Sequence, residues 1–152
     1  MNKSIKTVGI LCLITPTIFA FYSSSTGSKK ASGRLIFHEG NKCSQEVKMY
    51  VNTQDGLTFK QGGSGFVNDE ARSLTLENVE QGTLIYIYDS PEGSKDDDWC
   101  TIKAKKNITR RCIDSFQHNI KDDEVELVFY GNNNSPNALD GKVSRIEVIK
   151  FF

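Results

Sequence analysis

Two acid-containing turns carry the residue types that a metal ion could use. Residues 68–73 read Asn-Asp-Glu-Ala-Arg-Ser and run straight into an alternating stretch, Leu-Thr-Leu, at residues 74–76. Residues 140–145 read Asp-Gly-Lys-Val-Ser-Arg and also lead into an alternating stretch, 72 positions later. Calcium in proteins takes about six to eight carboxylate, carbonyl or hydroxyl oxygens. The turns therefore indicate either a calcium site or ordinary turns in which Asp and Asn bond to their own backbone.

Three cysteines, Cys43, Cys100 and Cys112, lie beyond the N-terminal apolar segment. In an oxidising compartment cysteines pair by default. Cys100 and Cys112 close the shortest loop, so we expect the disulfide between them, which leaves Cys43 buried, free or bonded to another molecule. A zinc site is the alternative, but the chain has no close Cys-x-x-Cys or His-x-x-x-His spacing to favour it.

The segment from residue 95 to residue 116 contains a candidate binding surface around Trp99. An acidic run at residues 96–98 precedes this tryptophan, and a basic run at residues 103–111 follows it. Loops inserted into a rigid β scaffold often carry recognition, and Trp is enriched at the centres of interfaces. The segment is therefore a candidate surface for a protein target. The alternative is that the two charged runs pair with each other and that Trp99 packs in the core.

Candidate catalytic groups are sparse. His38 and His118 are the only histidines, and neither accompanies a recognisable nucleophile motif. Adjacent acids such as Asp122, Asp123 and Glu124 are usually solvated in loops rather than paired across a substrate. The sequence predicts a protein without enzymatic activity.

Composition and the N-terminus indicate a small exported protein. The chain has 152 residues, with 19 Lys plus Arg against 19 Asp plus Glu. Because the charges balance, no net field favours nucleic acid as a partner. Residues 1–22 combine two lysines with a short apolar run, which is typical of a secretory signal peptide, and an uncleaved anchor is the alternative. We expect a flexible linker at residues 23–33, a folded domain at 34–152, a secreted or periplasmic location, and no stable membrane insertion after signal cleavage.

Short apolar or alternating runs predict an all-β domain. We expect strands at residues 35–37, 46–51, 57–59, 74–79, 84–88, 125–130 and 143–151. Turn residues separate these runs about every ten positions, which favours an antiparallel sandwich or barrel.

The chain also reads as two related halves. Residues 35–37 and 86–88 are aromatic-ended runs 51 positions apart, whereas the two turns are 72 apart. The second half is thus longer, by roughly the length of the cysteine-bearing segment. Two half-domains that each leave an apolar face uncovered can bury it only against each other.

Together these features resemble the βγ-crystallin family, whose calcium-binding turns read Asn/Asp-Asn/Asp-x-x-Ser/Thr-Ser. The first turn keeps positions one, two and six of that pattern, and the second keeps positions one and five. The resemblance covers residues 34–149. It implies two Greek-key motifs packed as one β-sandwich domain.

The resemblance also implies a set of metal ligands. One calcium site would combine Asp69 and the Glu70 carbonyl with the Ser144 hydroxyl. The other would need Gly141 and Arg72, which offer no side-chain oxygen, so at most one weak calcium site is expected. A guanidinium at Arg72 could instead hold the carbonyls of the partner turn.

These features favour an exported, non-enzymatic β-sandwich that serves as a binding or structural module. The alternative that the resemblance implies is a secreted protease inhibitor or an antimicrobial toxin. Either of these would act through the loop around Trp99.

Overall fold

In the part of the chain that the structure describes, the regular secondary structure consists of strands, without helices. A computed structural model describes residues 32–54, 56–132 and 138–151. The expected signal peptide, residues 1–22, lies outside this part, as does the expected linker up to residue 31. The described strands are β1 (Arg34–Gly40), β2 (Ser44–Asn52), β3 (Leu57–Lys60), β4 (Ser73–Val79), β5 (Thr83–Tyr88), β6 (Trp99–Ala104), β7 (Ile108–Ile113), β8 (Ile120–Lys121), β9 (Val125–Tyr130) and β10 (Arg145–Lys150).

The strands form two antiparallel sheets, which confirms the predicted all-β sandwich. Sheet A has the order β2-β1-β4-β7, and sheet B has the order β3-β10-β5-β6-β9-β8. Each half of the chain contributes one strand to the sheet that is formed mainly by the other half. The strand β3 from the first half pairs with β10, and β7 from the second half pairs with β4. The halves therefore share one core.

Alternation of apolar and polar residues directs side chains to this shared core. In β5, Ile85 and Ile87 are fully buried between the sheets, while Tyr86 is half-buried on the opposite, outer face. The same period places Leu74 and Leu76 of β4 in the core. β-branched and aromatic residues suit such a pleated surface, which is why these runs form strands.

The segment at residues 95–116, expected as an inserted loop, instead supplies two strands of the sandwich. It contains β6, which pairs with β5, and β7, which pairs with β4. The additional strands of the second half are β8 and β9, which extend sheet B beyond β6. The expected insertion was thus assigned to the wrong residues, since Trp99–Ala104 alternates regularly, with Cys100, Ile102 and Ala104 buried and the residues between them on the outer face.

The expected Cys100–Cys112 disulfide is wrong. The structure joins Cys43 to Cys112, and Cys100 is a buried free thiol. Cys100 points into the core from sheet B, whereas the half-buried Cys112 precedes the inward-facing Ile113 and therefore lies on the outer face of sheet A. The β1–β2 turn brings Cys43 to that face, where the Lys42 N–H donates to the Asp114 carbonyl at 2.8 Å.

The disulfide suits an oxidising, extracellular environment. Among the described residues no helix is long and apolar enough to cross a membrane.

We expect removal of the Cys43–Cys112 bridge to lower the free energy of unfolding substantially. The bridge spans 69 positions, and chain-entropy arguments give about 4 kcal/mol for a loop of that order. The test compares urea unfolding of a Cys43→Ser/Cys112→Ser protein with that of the wild type. Cys100→Ala is the control, since it keeps the bridge. A non-reducing peptide map that links Cys100 to Cys112 would contradict the assignment.

Candidate functional site

The two acid-containing turns lie against each other and exchange backbone hydrogen bonds. The Asp69 N–H donates to the Val143 carbonyl at 3.4 Å, and the Gly141 N–H donates to the Ala71 carbonyl at 2.8 Å. Each donor is the second residue of its turn, and each acceptor is the fourth residue of the other turn, so the arrangement is nearly two-fold symmetric. Ala71 and Val143 are fully buried. The exchange therefore closes one end of the core.

Each turn is also bonded to the first strand of its own half. The Arg72 N–H donates to the His38 carbonyl, and the Ser144 N–H donates to the Tyr88 carbonyl, both at 2.9 Å. His38 and Tyr88 are therefore equivalent, whereas the sequence comparison matched Phe37 with Tyr88. This one-residue slip matters because adjacent residues of a strand face opposite sides. Phe37 packs in the core, while Tyr88 stacks with Trp99 on the outer face of sheet B.

The predicted calcium ligands are only partly brought together. The Ser144 hydroxyl lies 3.4 Å from Asp69 Oδ1 and donates to Asn68 Oδ1 at 2.9 Å. The carboxylate of Glu70, whose backbone carbonyl was the expected ligand, turns away to an ion pair with Lys48 at 2.6 Å. Two of the three expected residues therefore present side-chain oxygens to the same point.

The acid of the second turn has a structural task. The buried Asp140 carboxylate accepts from the Ser115 hydroxyl at 2.9 Å, the Phe116 N–H at 3.0 Å and the Asn41 amide at 3.0 Å. A carboxylate with three donors is satisfied without a metal ion. Asp140 thus anchors the second turn to the segment after β7 and to the β1–β2 turn.

A cleft of about 520 Å³ lies beside the paired turns. Its charged residues are two acids, Asp69 and Asp140, and two bases, Arg72 and Lys142. The Arg72 guanidinium lies beside Gly141, 3.2 Å from the position that a Cβ would take there. Because the charges balance, the cleft has little net attraction for a cation.

The outer face of sheet B carries a row of aromatic side chains that includes Trp99. Tyr88, Trp99 and Tyr130 are direct neighbours on β5, β6 and β9. The rings of Trp99 and Tyr130 stack with centroids 4.0 Å apart and an interplanar angle of 7°. Tyr86 and Tyr88 stack on the other side, with centroids 6.5 and 6.2 Å from that of Trp99. Trp99 is thus half-buried on the surface rather than packed in the core.

The innermost ring of this row is held by a carboxylate. The Tyr88 hydroxyl donates to Glu147 Oε2 at 3.3 Å. Burial, followed by the negative charge of Glu147, raises the pKa of Tyr88 to about 12. Tyr88 therefore stays neutral and fixes the position of the row.

An open cleft of about 420 Å³ adjoins Trp99. It is lined chiefly by Lys95, Asp96, Asp97, Trp99, Tyr130 and Asn132. The Lys95 ammonium lies 4.6 Å from the Trp99 ring centroid and 5.8 Å from that of Tyr86. The aromatic surface thus already accepts a cation, which is supplied by the chain itself.

The sequence reasoning missed a cluster of carboxylates at the base of the β5–β6 loop. Asp89, Asp97 and Asp98 each bring one oxygen within 4.8 Å of the others. Burial, and then the charge of Asp97, raises the pKa of the Asp89 carboxyl. From the sequence, residues 96–98 were predicted only as an acidic run, and no role was predicted for Asp89. The signal that could have found the cluster is the pairing of β5 with β6, which closes the loop between them.

The two histidines differ in their surroundings, since His38 is buried between strands and His118 is exposed. His38 Nε2 lies 3.0 Å from the Thr75 hydroxyl, and both residues are buried. Burial, together with the nearby Arg110, lowers the pKa of His38. The contact therefore joins β1 to β4 with a neutral imidazole, and His118 is exposed on the segment before β8.

We expect Gly141→Ala to lower the free energy of unfolding by about 1 to 2 kcal/mol. Gly141 has a φ of 79°, and an added Cβ would meet the Arg72 guanidinium at 3.2 Å. Urea unfolding measures the effect. Gly62→Ala is the matched control, because Gly62 has a φ of 85° and no described atom within 4 Å of the added Cβ.

Adding Arg72→Ala to Gly141→Ala should recover the part of the lost unfolding free energy that comes from the clash with Arg72. It should not recover the part that comes from the positive φ of residue 141. Equal costs for Gly141→Ala and Gly62→Ala, with no recovery by Arg72→Ala, would show that Arg72 does not pack on the second turn.

Comparison with known proteins assigns no family to this chain. No protein-family model matches this chain, and neither the curated proteins nor the solved structures give a significant match.

Proposed function

We propose that this chain is an exported, non-enzymatic binding module that uses the surface around Trp99 to hold a cationic segment of a protein target. The observation that carries the proposal is the open cleft in which the aromatic row meets exposed acidic residues. Binding sites in proteins combine apolar or aromatic walls with a few polar groups that orient the ligand. This cleft has both components.

The chemistry of the cleft favours an arginine or lysine side chain as its occupant. Asp96 and Asp97 are exposed at its rim. Lys95 already lies over the face of Trp99 at 4.6 Å, so the surface suits an ammonium or guanidinium group. A guanidinium from a target could replace Lys95, stack on the aromatic side chains and pair with the carboxylates. Such a contact would serve a protease inhibitor or a toxin equally well.

Two observations support a βγ-crystallin-like scaffold with two Greek-key motifs. In the first half β4 lies beside β1 and β1 beside β2, and in the second half β10 lies beside β5 and β5 beside β6. Each half thus has the 4-1-2 order of a Greek key, with its third strand moved to the facing sheet. The hydrogen-bond exchange between the two turns relates the halves by the same near two-fold symmetry.

A second candidate function is calcium binding at the paired turns. It is favoured by the 3.4 Å separation of Asp69 Oδ1 and Ser144 Oγ, together with the Asn68 amide oxygen at 2.9 Å from the same hydroxyl. The balanced charge of the neighbouring cleft makes this site a weak one. In such a site Asp69, the Glu70 carbonyl and Ser144 would all bind one ion.

The test of target binding uses a short peptide with one arginine and a matched peptide with the neutral isostere citrulline. In an NMR titration of chelator-treated protein, the arginine peptide should shift the Trp99 indole N–H and the signals of residues 95–99. The Asp96→Asn/Asp97→Asn protein should bind it several-fold more weakly, because the rim carboxylates are lost. Glu46→Gln is the matched control, since it removes an exposed acid from β2 on the other sheet.

Equal responses to both peptides, or shifts that spare residues 95–99, would overturn the proposed role of the Trp99 surface.

For the paired turns, calcium added to chelated protein should raise the melting midpoint, and Asp69→Asn should reduce that rise. Asn is a fair replacement because Asp69 has a φ of 59°, which Asn tolerates as well as Asp does. Asp140→Asn is unsuitable as a control because Asp140 is a buried anchor, so Glu70→Gln serves, since only the backbone of Glu70 is expected to bind. An unchanged rise in Asp69→Asn would exclude this site.

A further inference from the structure

We propose that Asp89, Asp97 and Asp98 form a binding site for a divalent cation of the calcium type. The site uses different residues from those of the paired turns. The inference goes beyond the proposed function and does not depend on it, since the carboxylates could bind an ion whether or not the Trp99 cleft binds a target.

The loop that joins β5 to β6 brings the three carboxylates together. The Asp89 N–H donates to the Asp98 carbonyl at 2.9 Å, which closes the base of the loop. One oxygen from each side chain then lies within 4.8 Å of the other two. Oxygens that share a calcium ion lie at about 2.3 to 2.6 Å from it, so they are separated by at most about 5 Å. The observed spacing therefore fits a common ion.

Asp98 gives an independent indication that the cluster binds a cation. Its side chain is 0% exposed. Asp98 Oδ1 accepts the Asn132 N–H at 2.5 Å, whereas Oδ2 is buried and has no hydrogen-bond donor among the described residues. A buried carboxylate oxygen without a partner is costly, since it has lost water and gained nothing. A cation in contact with this oxygen would remove the cost.

The charges around the cluster leave room for a divalent ion. Lys142 is an ammonium close to the cluster, 3.6 Å from Asp89 Oδ2. One such positive charge does not balance three carboxylates that lie this close together. A divalent ion would supply the remaining charge, and solvent would complete its shell because Asp97 is exposed.

Calcium fits this arrangement better than magnesium. The carboxylates come from both ends of a surface loop, and one of them is buried while another is exposed. Calcium accepts irregular oxygen geometry at variable distances, whereas magnesium demands a nearly ideal octahedron. The site should therefore discriminate in favour of calcium.

Terbium provides a sharp test, because it replaces calcium and its luminescence is sensitised by a nearby indole. Trp99 is the only tryptophan and follows Asp98 directly. With excitation restricted to tryptophan, wild-type protein should show saturable terbium luminescence that excess calcium abolishes and that magnesium affects less. Asp98→Asn should weaken the binding by about tenfold or more, since one charged ligand of three is lost.

Asp97→Asn is the second variant, because Asp97 is exposed and its replacement leaves the buried packing intact. It should weaken terbium and calcium binding in the same way as Asp98→Asn. Asp96→Asn is the matched control, since it removes the same charge from the same loop outside the cluster. Combining Asp97→Asn with Asp69→Asn separates the two sites, because terbium binding that persists in Asp69→Asn and is weakened by the added Asp97→Asn belongs to this cluster.

The proposal is overturned if wild-type protein gives no saturable signal. It is also overturned if Asp97→Asn and Asp98→Asn bind terbium as the wild type does, or if Asp96→Asn loses as much affinity as they do, which would indicate diffuse surface charge. A negative peptide titration at the Trp99 cleft would leave these outcomes unaffected, so the two proposals fail separately.

Discussion

The exchange of backbone hydrogen bonds between the two turns is the constraint on which the rest of the structure depends. Asp69 and Gly141 each donate to the opposite turn, and the turns lead directly into β4 and β10. Because β3 belongs to sheet B and β7 to sheet A, neither half can complete a sheet of its own. The turn exchange therefore joins two halves that each contribute strands to both sheets.

This symmetry is broken at the fifth position of the turns. Ser144 places a small hydroxyl between the turns, where it contacts the side chains of Asn68 and Asp69. Arg72 occupies the equivalent position and extends its guanidinium over Gly141. A glycine at that point removes the Cβ that would otherwise meet the guanidinium, and it also accepts the positive φ of 79°. One side of the pair thus presents side-chain oxygens, while the other is filled by a positively charged side chain.

Local patterns predicted the strands well because alternation is set by neighbouring residues. The run at residues 125–130 was expected as a strand and forms β9 with the same limits. The disulfide was mispredicted because loop length says nothing about which face of a sheet a cysteine occupies. Cys100 lies on the inner face of sheet B, whereas Cys112 lies on the outer face of sheet A. These positions depend on the register of β6 and β7.

The candidate sites show the same division between local and long-range information. Trp99 was singled out from its residue type and its charged neighbours, and it lies half-buried on the outer face of sheet B. The cluster of Asp89 with Asp97 and Asp98 was missed because its members come from both ends of a loop. Only the pairing of β5 with β6 brings them within 4.8 Å of one another. Asp98 Oδ2, which has no hydrogen-bond donor within the described ranges, depends further on burial, and no short sequence pattern encodes burial.

The two proposed sites share one residue, and this links their occupancies. Asp97 contributes a carboxylate to the cation cluster and also lines the cleft beside Trp99. A divalent ion bound to Asp97 would neutralise part of the negative charge that the cleft offers to an arginine or lysine. Coupling between binding sites is reciprocal, so a cationic segment in the cleft would lower the affinity for the ion by the same factor. If both sites operate, calcium would therefore act as an antagonist of target binding, because both ligands draw on the charge of a single loop.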